Sequence, residues 1–108
     1  MTDDLAPSEL TTALERLDGS TVLRVEGEID LLTTPALVEA LDAAIAFGGA
    51  LTVDLDAVEF MDSTGLRALL EARKRAEAAG TTLGLRVREG GPVARLLDLA
   101  GVRELFDG

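Results

Sequence analysis

Residues 51–80 read LTVDLDAVEFMDSTGLRALLEARKRAEAAG, a strand running into a helix. Leu51, Val53 and Leu55 alternate with Thr52 and Asp54, the period of two that sends alternate side chains to opposite faces of a sheet. This predicts an interior strand from Leu51 to Leu55, with Val58 and Phe60 adding apolar side chains before the next element. Asp62-Ser63-Thr64 offers capping oxygens, and Leu66, Leu69, Leu70 and Ala76 then recur at helical spacing until Gly80.

The same alternation of elements extends on both sides. Leu83, Leu85 and Val87 predict another strand, and Gly90-Gly91-Pro92 opens a helix with the stripe Val93, Leu96, Leu97 and Ala100, stopped by Gly101. Val102 to Phe106 reads as one last short strand. Upstream, Thr33-Thr34-Pro35 offers a capping hydroxyl and a proline for the first turn of a helix carrying Leu37, Val38, Leu41, Ala44 and Ile45, which ends at Gly48-Gly49. A strand is expected from Thr21 to Glu26, preceded by the hairpin signal Asp18-Gly19. In the segment before that turn, Leu10, Leu14 and Leu17 recur at helical spacing, while Thr11 and Thr12 favour extended backbone. The hairpin signal decides for a strand. The order β-β-α-β-α-β-α-β predicts an α/β fold: a mixed, mostly parallel sheet with an antiparallel N-terminal hairpin strand and helices packed on it.

Length and composition bound the function. The 108 residues suit one domain, 1–108, and 47% of them are apolar with three Phe and no Trp or Tyr, so the core must be aliphatic. A formal charge of -10 opposes phosphate backbones and anionic lipid, which argues against direct nucleic-acid binding and favours a basic protein partner. The absence of Cys and His removes disulfides, thiolate chemistry and the commonest general base and metal ligand. Asp3 and Asp4 stand where a signal peptide needs positive charge, and no apolar run is long enough to span a bilayer, so a cytoplasmic location without membrane insertion is expected.

Asp30, Asp54, Asp56 and Asp62 cluster near strand ends and invite a Mg²⁺ site of the phospho-accepting aspartate type. That chemistry also needs a lysine after the last strand, whereas Lys74 falls in mid-helix. The carboxylates read instead as caps, turn formers and solubilising charges, with no metal, cofactor or nucleotide loop expected. A serine at a helix start is ordinarily an N-cap. Ser63, however, follows an apolar strand exit and precedes Gly65, which would leave the backbone beside it uncovered for a protein kinase.

The segment Phe60-Met61-Asp62-Ser63-Thr64-Gly65-Leu66 resembles the hallmark Phe-Met-Asp-Ser-Ser-Gly-Leu of the STAS-domain anti-sigma-factor antagonists of bacteria, with Thr64 as its one difference. Gly27-Glu28-Ile29-Asp30 followed by Thr33, the strand Leu51 to Leu55 and the closing helix from Val93 to Val102 also match the family, so the resemblance covers nearly the whole chain. Many relatives carry a further C-terminal helix beyond the position of Gly108. The resemblance implies the STAS fold and a substrate rather than an enzyme. Ser63 would be phosphorylated by an anti-sigma factor that is itself a serine kinase and supplies ATP and Mg²⁺, and a serine phosphatase would reverse the modification. Unphosphorylated protein would bind the anti-sigma factor and free the sigma factor. Asp30, Thr33, Asp62, Thr64 and Gly65 join Ser63 as expected partner contacts. Phosphate at Ser63 is expected to be received by the helix-start amides, leaving the fold intact. The alternative is a STAS scaffold or accessory subunit of a stress-signalling or membrane-transport complex.

Overall fold

Asp18 and Gly19 take positive φ values of 47° and 84°, the left-handed pair that closes a two-residue hairpin with the twist of its strands. Strand β1 (Leu10–Leu17) therefore folds back antiparallel on β2 (Ser20–Ile29), with Leu17 opposite Ser20 and Leu14 opposite Leu23. The helical spacing of the three leucines in β1 has no structural counterpart. These features belong to a computed structural model that describes residues 9–106; Asp3 and Asp4, read above as evidence against a signal peptide, lie outside the described residues.

After β2 come α1 (Thr34–Ala46), β3 (Leu51–Met61), α2 (Ser63–Ala78), β4 (Leu83–Arg86) and α3 (Pro92–Ala100). The sheet order is β1-β2-β3-β4, with β2, β3 and β4 parallel. The expected final strand at 102–106 is absent: Arg103–Phe106 forms a 3-10 turn instead. Gly101 is left-handed at the end of α3, the Val102 amide donates to the Leu97 carbonyl, and the Leu105 amide donates to the Val102 carbonyl. Backbone donors spent locally in this way are not available to a strand ladder. The turn is tied down by Arg73 Nε donating to the Leu105 carbonyl at 2.7 Å and by burial of Phe106.

Strand β3 runs six residues beyond Leu55. Across β2, Arg24 and Glu26 face Asp54 and Ala57, and Gly27 and Glu28 face Val58 and Phe60, so β3 carries an extra residue at each of two bulges. Each bulge shifts the phase of the strand, and the inward residues become Leu55, Val58 and Met61 rather than every second one. Alternation reads only to Leu55 because the period of two ends there.

Leu23, Val53 and Leu85 stand level on neighbouring strands, and Leu37 and Leu41 of α1 with Leu69 and Ala72 of α2 are buried in the same aliphatic core. The two helices are joined at their surface by Arg75 Nε and Asp42 Oδ1, 2.9 Å apart. Of the three phenylalanines only Phe106 is buried. A charged row crosses three strands where Arg24, Asp54 and Arg86 are in register: Asp54 Oδ2 lies 3.7 Å from Arg24 and 3.8 Å from Arg86, and Arg24 contacts Glu15 at 2.5 Å. The hydrogen bond from Arg24 to Glu15, and then the charge of Glu15, hold the Arg24 guanidinium above its ordinary pKa. Asp54 is thus occupied by arginines and by the Asp56 amide. Among the described residues no helix is long and apolar enough to cross a membrane.

Candidate functional site

Ile29 and Met61 end β2 and β3 side by side, and the Asp62 amide donates to the Ile29 carbonyl at 3.1 Å. The loops that follow therefore leave the sheet together, which brings Asp30 and Thr33 beside Asp62, Ser63 and Thr64 as the parallel reading requires.

In the first loop Asp30 Oδ1 accepts the amides of Leu32 and Thr33 at 3.0 and 3.1 Å. The Thr33 hydroxyl turns back toward β2, donating to the Glu28 carbonyl at 2.8 Å and accepting the Asp30 amide at 2.9 Å. It makes no capping bond to α1, although Thr33 occupies the N-cap position, so its expected capping role is corrected to that of a clasp on the strand exit. Thr33 is buried, and the tight loop pushes Leu31 and Leu32 outward to 72% and 71% exposure.

In the second loop Asp62 is extended and caps α2, its Oδ1 accepting the amides of Thr64 at 2.9 Å and Gly65 at 3.3 Å. It also accepts the Thr64 hydroxyl at 2.5 Å. Ser63 is the first residue of α2 rather than its cap; it is exposed, and its hydroxyl makes no hydrogen bond within the described residues. Of the helix-start amides expected to receive a phosphate, those of Thr64 and Gly65 already have Asp62 as partner. Gly65 does not uncover the backbone beside Ser63. It is buried, and a Cβ there would run into Ile29 Cγ2 and lie 2.8 Å from Met61 Cγ, so glycine is needed for the first turn of α2 to seat on the strand ends.

The two loops meet through Thr34 and Thr64, whose hydroxyl oxygens are 3.3 Å apart. Thr34 donates to the Asp30 carbonyl at 2.6 Å and Thr64 to Asp62, so each single proton is committed within its own loop. Sequence reasoning read Thr34 only within a capping run and missed its contact with Thr64, and it missed Leu31 and Leu32 altogether. Two leucines in succession inside a turn were the available signal, since a turn rarely spends two apolar side chains without contact to bury them.

Removing the cap tests this geometry. Asp62→Ala should lower stability by about 1 kcal/mol, and by no more than about 2, measured by chemical denaturation. An unchanged midpoint would show that the carboxylate does not hold α2.

The STAS domain family model matches residues 11–107. An anti-sigma-F factor antagonist, RsfB, of Mycobacterium tuberculosis is 36% identical over 102 residues, covering 94% of this chain and 82% of the relative. An anti-sigma-B factor antagonist of Bacillus subtilis is 32% identical over 85 residues, 79% of this chain and 77% of the relative. The crystal structure of an anti-sigma factor antagonist from Mycobacterium paratuberculosis superposes with a TM-score of 0.84 at 38% identity, covering 94% of this chain and 86% of that one. Fold and overall sequence agree on one assignment: the chain belongs to the STAS domain family, among the anti-sigma-factor antagonists.

Proposed function

We propose that this chain is a single STAS domain acting in the cytoplasm as a phosphorylation-controlled antagonist, with Ser63 as the modified hydroxyl. Unphosphorylated, it binds an anti-sigma factor with serine-kinase activity and so frees the sigma factor. Phosphate on Ser63 prevents that binding, and a serine phosphatase restores it. The chain itself catalyses nothing in this cycle, and ATP and Mg²⁺ belong to the kinase.

The observation that carries the reading is the contrast between adjacent hydroxyls. Ser63 is exposed, and its hydroxyl has no hydrogen bond among the described residues, whereas Thr64 is partly buried with its proton on Asp62. A kinase that must seat a hydroxyl against its own base meets one that is free and one that is spent. Leu31 and Leu32 supply exposed apolar surface on the loop that meets the Ser63 loop through Thr34 and Thr64. Asp30, Thr33, Asp62 and Gly65 shape that surface by fixing the two loops. A phosphate adds about -1.5 to -2 charges, and burying it against a partner there costs several kcal/mol.

Incubation with the cognate kinase and ATP, followed by mass spectrometry, tests the assignment. Phosphate is expected on Ser63, lost in Ser63→Ala and retained in Thr64→Val. Phosphate mainly on Thr64, or undiminished in Ser63→Ala, overturns it.

A further inference from the structure

Arg67 stands one turn along α2 from Ser63, at the spacing that brings side chains to within about 5–6 Å of each other at Cβ. Its side chain is 81% exposed, and its ion pair is a long one to Glu71, Nε to Oε2 at 3.5 Å. That pair has the cation N-terminal to the anion, the weaker of the two helical orders, because the helix dipole favours the acid nearer the N-terminus. A phosphate on Ser63 reverses the order and outweighs the single charge of Glu71. It also presents three acceptor oxygens suited to the fork of a guanidinium. The other acidic groups at this end, Asp30 and Asp62, hold backbone amides of their own loops and leave Arg67 as the cation on the exposed face of the first two turns.

We propose that phosphate on Ser63 captures Arg67 from Glu71. Modification then has two effects on the same surface: it adds negative charge at the head of α2 and withdraws the positive charge that α2 offers to a partner. Arg67 is a positioning residue for the phosphate. This inference rests on Ser63 being the modified hydroxyl.

The test uses the 108-residue chain with phosphoserine installed at position 63 during synthesis, and follows its second ionisation by ³¹P NMR. A guanidinium partner favours the dianion, so the pKa should lie about 0.2–0.4 unit lower than in Arg67→Gln, the size expected of an exposed ion pair at this helical spacing. Arg67→Lys should keep part of that shift, and high salt should reduce it. The difference in melting midpoint between phosphorylated and unmodified protein should also turn less favourable in Arg67→Gln, a comparison from which any purely structural effect of the substitution cancels. Equal ionisation in the parental chain and Arg67→Gln overturns the proposal. Because the phosphate is installed rather than transferred, a Ser63 that no kinase modifies would refute the proposed function and leave this titration decisive on its own question.

Discussion

Phosphorylated protein is expected to bind the anti-sigma kinase at least about a hundredfold more weakly than unmodified protein, a loss of about 2.7 kcal/mol, while its melting midpoint moves by only a few degrees. The two quantities separate because they read different environments. In the free domain Ser63 is exposed at the first position of α2, where negative charge contributes about 0.3–1 kcal/mol toward folding, and Asp62 holds the amides of Thr64 and Gly65. In the proposed complex the same phosphate must be stripped of water against the partner. Calorimetric binding and thermal melting on the two forms decide the matter. Ser63→Ala should remain bound in the presence of ATP, and Ser63→Asp, with one charge, should fall between the two forms. A midpoint that drops in parallel with affinity would mean that the switch works by unfolding.

Gly65→Ala should cost about 1–3 kcal/mol and lower the melting midpoint by roughly 5–15 °C. Helix propensity alone argues the opposite sign, since alanine in a helix interior is favoured over glycine by about 1 kcal/mol. The steric term decides: the added methyl meets Ile29 Cγ2 and Met61 Cγ, both anchored in the core at the paired strand ends. Relief requires α2 to lift from the sheet, and with it Asp62 and Ser63. Gly65→Ala should therefore weaken kinase binding even at temperatures where it stays folded. An unchanged or raised midpoint would show that the first turn of α2 is not tightly seated.

The order of elements was legible wherever one face of an element is buried and the other is wet, as in Leu51–Leu55 or the stripe of α3. It failed where geometry broke the period. The two bulges in β3 hid its last six residues, and the local hydrogen bonds after Gly101 turned an apolar tail into a 3-10 turn rather than a strand. At the site, residue types were readable but their assignments to one another were not. Thr33 looked like a cap and is a clasp on Glu28, and Gly65 looked like exposed backbone and is a packing contact. Thr34 was read only as part of a capping run because its hydroxyl matters through Asp30 and Thr64, the latter thirty residues away in sequence. Such roles depend on where two parallel strands end, which no local pattern encodes.

The most direct measurement is displacement from a preformed complex of the anti-sigma kinase with its labelled sigma factor, followed by fluorescence anisotropy as this chain is added. Unmodified chain is expected to release the sigma factor in a saturable titration, and chain carrying phosphoserine at position 63 to leave the complex intact at the same concentrations. Equal release by both forms, or release by neither, would contradict a phosphorylation switch at Ser63.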